Sequence, residues 1–297
     1  SRAFADGVAG RGLDVVLIGL ASTDQLYFAS GSLDLPGAMF TASHNPARYN
    51  GIKFCRTGAR PVGQESGLAQ IRDLAQAHLD AGVSAFDGVR PGTVSRRDVL
   101  ADYGNFLRSL VAIGGERPLH VAVDAGNGMA GHTTPGVLGP IPSITLSPLF
   151  FELDGNFPNH EANPLDPANL VDVQERVRSH GADIGIAFDG DADRCFVVDE
   201  RGEPVSPSAI TAMIAAREIA REVAAGRAPG DVAIVHNAIT SAAVPQIIAE
   251  AGARPVRTRV GHSYVKADMR EHDAVFGGEH SAHYYFRDFW FADTGML

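Results

Sequence analysis

Apolar positions along this chain follow two rhythms, short strand-like runs and longer segments with helical spacing. Residues 15–20 form a short apolar run that ends at Ala21-Ser22. Leu68, Ile71, Leu74 and Leu79 have helical spacing over 68–79, and residues 99–111 read likewise. A strand is predicted over 119–123, running into the turn Asp124-Ala125-Gly126-Asn127-Gly128. Another strand is predicted over 144–151, then a helix over 170–180 that Gly181 stops. Residues 184–188 form a strand that delivers an acidic loop, and 210–225 is helical. A βαβαβ series closes the chain, over 232–236, 243–251, 256–260, 264–270 and 274–276. Strands alternating with helices of these lengths imply α/β layers with largely parallel sheets. Candidate chemistry then belongs on loops at the carboxyl ends of strands.

The length of 297 residues suits two or three domains, and 45% hydrophobic residues can bury a real core. Pro91-Gly92-Thr93 and the Pro/Gly-rich stretch from Gly202 to Pro207 are the punctuation points. They divide the chain into units of 1–98, 99–204 and 205–297, alike in element order but without a fixed-period repeat. No run of 18 apolar residues is present, and the start Ser1-Arg2-Ala3-Phe4 carries no signal-peptide pattern. A net charge of −10 argues against a nucleic-acid surface. Cys55 and Cys195 lie in apolar strand-like stretches and read as buried, inert thiols of a reducing cytoplasm.

Three loops carry chemistry. Thr41-Ala42-Ser43-His44-Asn45-Pro46 follows the apolar segment 38–40, which places Ser43 just past a strand. Pro46 offers no N–H and pushes Asn45 out of the helical region, so the loop is stiff. His44 and Lys53 are the nearby proton-transferring or cationic groups. No G-x-S-x-G elbow surrounds Ser43, which excludes an α/β-hydrolase. Asp189-Gly190-Asp191-Ala192-Asp193-Arg194 spaces three carboxylates two apart, an oxygen donor set for Mg²⁺ or Ca²⁺. With Glu200 in the twelfth position the segment nearly matches an EF-hand loop. Arg194 stands where that loop requires Gly, and the flanks read as strands rather than helices. Gly278-Glu279-His280-Ser281-Ala282-His283 offers a carboxylate, a hydroxyl and two imidazoles, suited to vicinal hydroxyl groups.

Together, in this order, the three loops resemble those of the α-D-phosphohexomutase superfamily, with the phosphomannomutase/phosphoglucomutase subgroup as the best match. The resemblance implies consecutive mixed-sheet α/β domains and exchange of phosphate between C1 and C6 of mannose or glucose. It implies a phosphoserine at Ser43 in a loop running to Lys53, and a hexose 1,6-bisphosphate intermediate. It implies Mg²⁺ held by Asp189, Asp191, Asp193 and an oxygen on Ser43, with Arg194 on phosphate. His283 or Lys53 is the implied base for the sugar hydroxyl. Gly261-His262-Ser263-Tyr264-Val265-Lys266 resembles a further family loop whose His and Lys approach the substrate. Read alone, that stretch is a helix start with Ser263 as N-cap. Glu279 and Ser281 are the implied sugar contacts. His160, in Phe157-Pro158-Asn159-His160-Glu161, resembles a family loop residue without a chemical role and is taken as structural.

Two departures bear on sugar preference: Ala282 stands where the subgroup usually has Gly, and His280 where Met is common. The family also carries a Gly-Thr-Ser-Gly-x-Arg-Gly stretch ahead of the serine loop and a fourth, phosphate-docking domain. Neither is found here, so the expectation is a chain shorter than the family at both ends. The net charge requires local Lys and Arg to offset the global field at any phosphate site. The rival expectations are a phosphoglucosamine mutase, or a catalytically silent piece that only binds sugar phosphate or metal.

Overall fold

The computed structural model describes residues 1–82, 90–113 and 117–297. The first unit holds α1 (Arg2–Gly10), β1 (Val15–Leu17), α2 (Thr23–Leu33), β2 (Gly37–Phe40), β3 (Ile52–Arg56), β4 (Arg60–Pro61), α3 (Ala69–Ala81) and β5 (Val94–Arg96). The second holds α4 (Leu100–Leu110), β6 (Leu119–Asp124), α5 (Ala130–Val137), β7 (Ile144–Leu149), α6 (Val171–His180), β8 (Ile184–Phe188), β9 (Cys195–Val198) and β10 (Pro204–Val205). The third holds α7 (Pro207–Ala224), β11 (Ala233–Asn237), α8 (Ala243–Glu250), β12 (Arg254–Thr258), α9 (His262–Glu271), β13 (Phe276–Gly278), β14 (Tyr284–Phe286) and β15 (Ala292–Asp293).

The sheets are more mixed than the alternation of elements implies. β6 pairs in parallel with both β7 and β8, whereas β9 and β10 continue the sheet antiparallel, in the order β10-β9-β8-β6-β7. The third unit repeats the plan: β11 is parallel to β12 and β13, and β14 and β15 follow antiparallel. In both, a short loop turns the chain straight back after the third parallel strand, too short to hold a crossover helix. The acidic loop and the Gly278–His283 loop are those two reversals. They therefore occupy equivalent places in their units. β2, β3 and β4 form an antiparallel sheet whose first turn carries Ser43.

α2 gives no periodic signal because Thr23 through Ser30 are all buried. Its start is marked instead by Ser22, whose hydroxyl accepts from the Gln25 N–H. α6 ends at Gly181 with φ 61°, as its sequence predicts. α7 begins at Pro207, earlier than the apolar pattern shows, because Pro suits the first helical position. α9 begins at His262 behind Gly261, so Ser263 lies inside the helix and is not its cap. α3 forms where the spacing predicts, but none of its residues is buried, and Leu74 and Leu79 are exposed.

The core is continuous across the units. Phe28 of α2, Tyr103 and Phe106 of α4, and Phe289 and Trp290 beyond β14 form one aromatic cluster. Beneath it, buried Asp24 accepts from Tyr103 and Thr294 at 2.7 Å each, and from Ser22. Burial pushes the Asp24 carboxyl up to about 6. Cys55 and Cys195 are free thiols, Cys55 buried and Cys195 half-buried, and desolvation pushes Cys195 up to about 12. No helix among the described residues is long and apolar enough to cross a membrane.

Candidate active site

The turn after β2 holds Ser43 in the left-handed region, at φ 53°. For a non-glycine residue this conformation costs about 1–2 kcal/mol, and local bonds offset it. The Ser43 N–H donates to Thr41 Oγ1 at 2.8 Å. The Ser43 hydroxyl donates to Asp189 Oδ2 at 2.9 Å, with His44 Nδ1 3.1 Å away. The serine loop and the acidic loop are thus in direct contact across 146 residues of sequence. They meet at Gly190. A Cβ there would lie 2.3 Å from the Ser43 carbonyl oxygen. Gly190→Ala should therefore drive the loops apart, at a cost of about 1–3 kcal/mol from overpacking. A melting temperature and a Ser43 reactivity equal to wild type would refute that reading of the contact.

Asp189, Asp191 and Asp193 are buried, with ligand atoms within 4.8 Å of one another. Lys53 Nζ bridges Asp191 Oδ2 at 2.8 Å and Asp193 Oδ2 at 2.7 Å. Thr23 and Thr41 also donate to Asp191 Oδ2, at 2.8 and 3.1 Å. Asp191 Oδ1, by contrast, is buried and has no hydrogen-bond partner. Arg194 donates from Nε and Nη2 to Asp189 Oδ2, at 3.0 and 2.9 Å. Three carboxylates against two cations leave a net negative charge and one orphaned hard oxygen. That donor set fits a small divalent cation. The flanks of the loop are strands β8 and β9, which removes the EF-hand.

Charge states follow from this packing. Burial, with Asp193 and Asp191 alongside, pushes Asp189 up to about 7, although Arg194 opposes it. Burial also works on Asp191, but Lys53 holds that carboxyl far below the usual range. Burial disfavours the Lys53 ammonium, yet Asp193 and Asp191 outweigh it and raise its pKa well above normal. Lys53 is therefore held as a cation against Asp191 and Asp193, the second of the two parts that the sequence leaves open for it. His44 Nδ1 lies 2.7 Å from Arg194 Nη2, which can only donate, so Nδ1 is the bare acceptor nitrogen. Burial and the Arg194 charge both lower the His44 pKa, in keeping with a neutral ring.

A cavity of about 220 Å³ opens over these groups. The first two units line it through Tyr27, Ser43, His44, Lys53, Asp193 and Arg194, and the third through His262 and His283. His283 Nδ1 sits 2.9 Å from Asp293 Oδ2 and 3.8 Å from Asp193 Oδ1. Burial opposes its charge, but Asp193 and Asp293 raise it to about 9. Burial and then Lys266 lower the His262 pKa, so that ring is neutral.

The remaining residues singled out from sequence do not line the cavity. Lys266 is fully buried, 2.6 Å from Asp293 Oδ1 and 3.8 Å above the Tyr27 ring. Its ammonium is behind Tyr27 and Asp293 and does not itself line the cavity where the sequence reading expected a substrate contact. Glu279 is buried and accepts from Asn237 Nδ2 at 2.8 Å and Tyr285 Oη at 2.6 Å. The Gly261 N–H adds a third bond at 3.3 Å. Glu279 and Ser281 are on the reversal whose last residue, His283, does face the cavity. Ala282 in that loop has φ 66°, in the left-handed region that favours glycine. His280 Nδ1 lies 2.9 Å from Ser208 Oγ at the start of α7.

Sequence reading missed Thr23, Thr41, Tyr27 and Asp293. Thr41 was inside the quoted loop, and Ser22-Thr23-Asp24 is a helix-start pattern. Tyr27 and Asp293 gave no local signal, since long-range packing alone brings them in.

Three family models cover most of the chain. They describe the α/β/α domains I, II and III of phosphoglucomutase/phosphomannomutase, and match residues 1–80, 101–202 and 207–297. A phosphomannomutase of Escherichia coli is 38% identical over 302 residues, covering 99% of this chain and 64% of its own length. Phosphohexose mutases of Xanthomonas campestris are 38% identical over 297 residues, 63% of their length. A crystal structure of a phosphoglucomutase/phosphomannomutase family protein from Burkholderia thailandensis superposes with a TM-score of 0.86 at 34% identity. The match covers 99% of this chain and 62% of that one. The chain thus spans a little under two thirds of the length of the relatives it matches.

Proposed function

Because this chain belongs to the phosphoglucomutase/phosphomannomutase family, we propose that it interconverts hexose 1- and 6-phosphates of mannose or glucose through a phosphorylated Ser43 and a hexose 1,6-bisphosphate. The carrying observation is the Ser43 hydroxyl bonded to Asp189, inside a buried ring of carboxylates that Lys53 and Arg194 bridge. On this reading 1–98 supplies the nucleophile, 99–204 the acidic loop and 205–297 the sugar loop. The sheet boundaries support that division.

Asp189, Asp191, Asp193 and an oxygen on Ser43 would hold Mg²⁺, which supplies Lewis-acid polarisation of the transferring phosphoryl group. The chain's own residues do the rest. Lys53 and Arg194 provide fixed positive charge beside Ser43, where in-line transfer mainly needs positioning and neutralisation. His44, neutral and bonded to Arg194, keeps that guanidinium beside the serine. His283 carries a proton at neutral pH and faces the cavity from the third unit. It gives that proton to the sugar oxygen as phosphoryl returns to Ser43, whose own hydroxyl proton passes to Asp189 along the bond they share and comes back in the opposite transfer. The neutral ring so formed accepts the hydroxyl proton in the opposite transfer. Asp293 and Lys266 hold His283 in place. Glu279 and Ser281 complete the sugar side of the site.

The test is incubation of the chain with Mg²⁺ and glucose or mannose 1,6-bisphosphate. Intact mass should show one phosphoryl group, and peptide mapping should put it on Ser43. Released hexose monophosphate should match it in amount. Parallel turnover of mannose, glucose and glucosamine phosphates assigns the sugar. A chain that neither gains phosphate nor turns over any of the three would overturn the reading.

A further inference from the structure

His160 and Asp124 form a charged pair outside the cavity. His160 Nε2 lies 3.0 Å from Asp124 Oδ2, and His160 Nδ1 lies 2.9 Å from the Glu161 carbonyl oxygen. Both partners can only accept. Both ring nitrogens must therefore carry hydrogen, which makes this ring an imidazolium on geometry alone. The pair is well shielded, with 11% and 1% of its side chains exposed. The other Asp124 oxygen accepts from the Gly126 N–H at 2.8 Å. The ring packs edge-on to Phe150 at 5.3 Å.

The pair ties together two loops that grip the acidic loop. The Gly190 N–H donates to the Ala162 carbonyl at 3.1 Å, and the Met129 N–H donates to the Gly190 carbonyl at 3.0 Å. Ala162 follows His160 by two residues, and Met129 lies in the turn that begins at Asp124. Asn159 Nδ2 adds a second tie to Asn127 Oδ1 at 2.8 Å. Gly190 sits between Asp189 and Asp191 and against Ser43. Its place is thus set from both sides by segments that the His160–Asp124 pair joins.

We propose that His160 and Asp124 are positioning residues, an ionic clamp that fixes the acidic loop in its cation-binding geometry. The inference rests on the reading of that loop as a divalent-cation site. It changes His160 from a loop residue without a role into a part of the site that touches neither substrate nor metal. Losing one proton leaves one of its two nitrogens facing an acceptor with nothing to donate, so a joint between the loops opens. Burial works against the charged ring, but the bond and charge of Asp124, the Glu161 carbonyl and then Asp172 on α6 raise it to about 8. The folded value lies above the ordinary 6.5. The clamp is therefore complete below about pH 6.5 and is lost as pH rises through about 8.

The experiment is calorimetric titration of the folded chain with Mg²⁺ alone between pH 6 and 9, on wild type, His160→Gln and Asp124→Asn. Wild type should bind more weakly above about pH 8, even though carboxylates are then fully ionised. Each variant should bind roughly tenfold more weakly at pH 6.5, in the range seen for outer supports of metal ligands, and should lack the alkaline decline. Thermal melting identifies any variant that does not fold, and the wild-type profile carries the test without it. Wild-type affinity that is flat or rising to pH 9, or variants that bind like wild type, would overturn the clamp alone. A wild-type chain that binds no Mg²⁺ at any pH would overturn the cation reading and the clamp with it.

Discussion

Ser43→Ala should reduce phosphoryl acceptance from a hexose 1,6-bisphosphate to below about one percent of the wild-type rate, with the chain still folded. Two powers of ten correspond to about 2.7 kcal/mol of barrier, a modest share of what a covalent nucleophile contributes. The fold should tolerate the change because Ser43 is only partly buried and its hydroxyl bonds a carboxylate of the acidic loop, not the apolar core. One stabilising bond to Asp189 is lost, worth about 1–2 kcal/mol between a hydroxyl and a buried carboxylate. The left-handed backbone at φ 53° is occupied by either residue, since Ser43 holds it through its N–H bond to Thr41 and not through its side chain. Intact mass after incubation with the bisphosphate and Mg²⁺ gives the result directly. A variant that still acquires one phosphoryl group at a comparable rate would place the acceptor elsewhere.

Much of this architecture was legible because its signals are local. Gly181 and Pro207 mark helix ends by their own backbone preferences. The strand 184–188 and the three aspartates after it stand where the apolar run and the spacing place them. What was not legible depends on tertiary packing. α2 is buried on all sides, so no amphipathic period betrays it. The antiparallel ends of both five-stranded sheets follow from loop length, and short strands such as Ala292–Asp293 carry too few residues to register a pattern. The charge states of the site were equally hidden. Lys53 reads from sequence as either a base or a cation, and the two aspartates 138 and 140 residues away that favour the cation could not be seen there. Lys266 reads as a substrate contact and is sealed against Tyr27 and Asp293. Family motifs mark which residues gather at a site; only the packing decides which of them face the cavity.

Lys53→Met should strongly destabilise the chain itself. The ammonium offsets two carboxylates that are only 2% and 4% exposed, so removing it leaves buried charge unpaired. Breaking a buried pair typically costs about 3–5 kcal/mol; with Lys53 30% exposed, about 2–4 kcal/mol is expected here. The sign with pH follows from Asp191. Its folded pKa is depressed, so Lys53 contributes stability above the ordinary carboxylate range, and that contribution is lost as pH falls. Wild type and variant should therefore converge in stability on acidification. Mg²⁺ should separate them in the other direction. A divalent ion at the three aspartates supplies the missing positive charge, so the variant's melting temperature should rise more on adding Mg²⁺ than wild type's does. On the proposed mechanism, phosphoryl transfer should remain impaired even with Mg²⁺ present, because the metal would neutralise the carboxylates while Lys53 would also neutralise the transferring group. The measurements are melting curves in chelator and in excess Mg²⁺ at neutral and acidic pH, with phosphoryl uptake at Ser43 alongside. If the variant melts with wild type in chelator, the ammonium is not what holds the carboxylates together. If Mg²⁺ restores both stability and uptake in full, Lys53 is a stand-in for the ion and has no part in transfer.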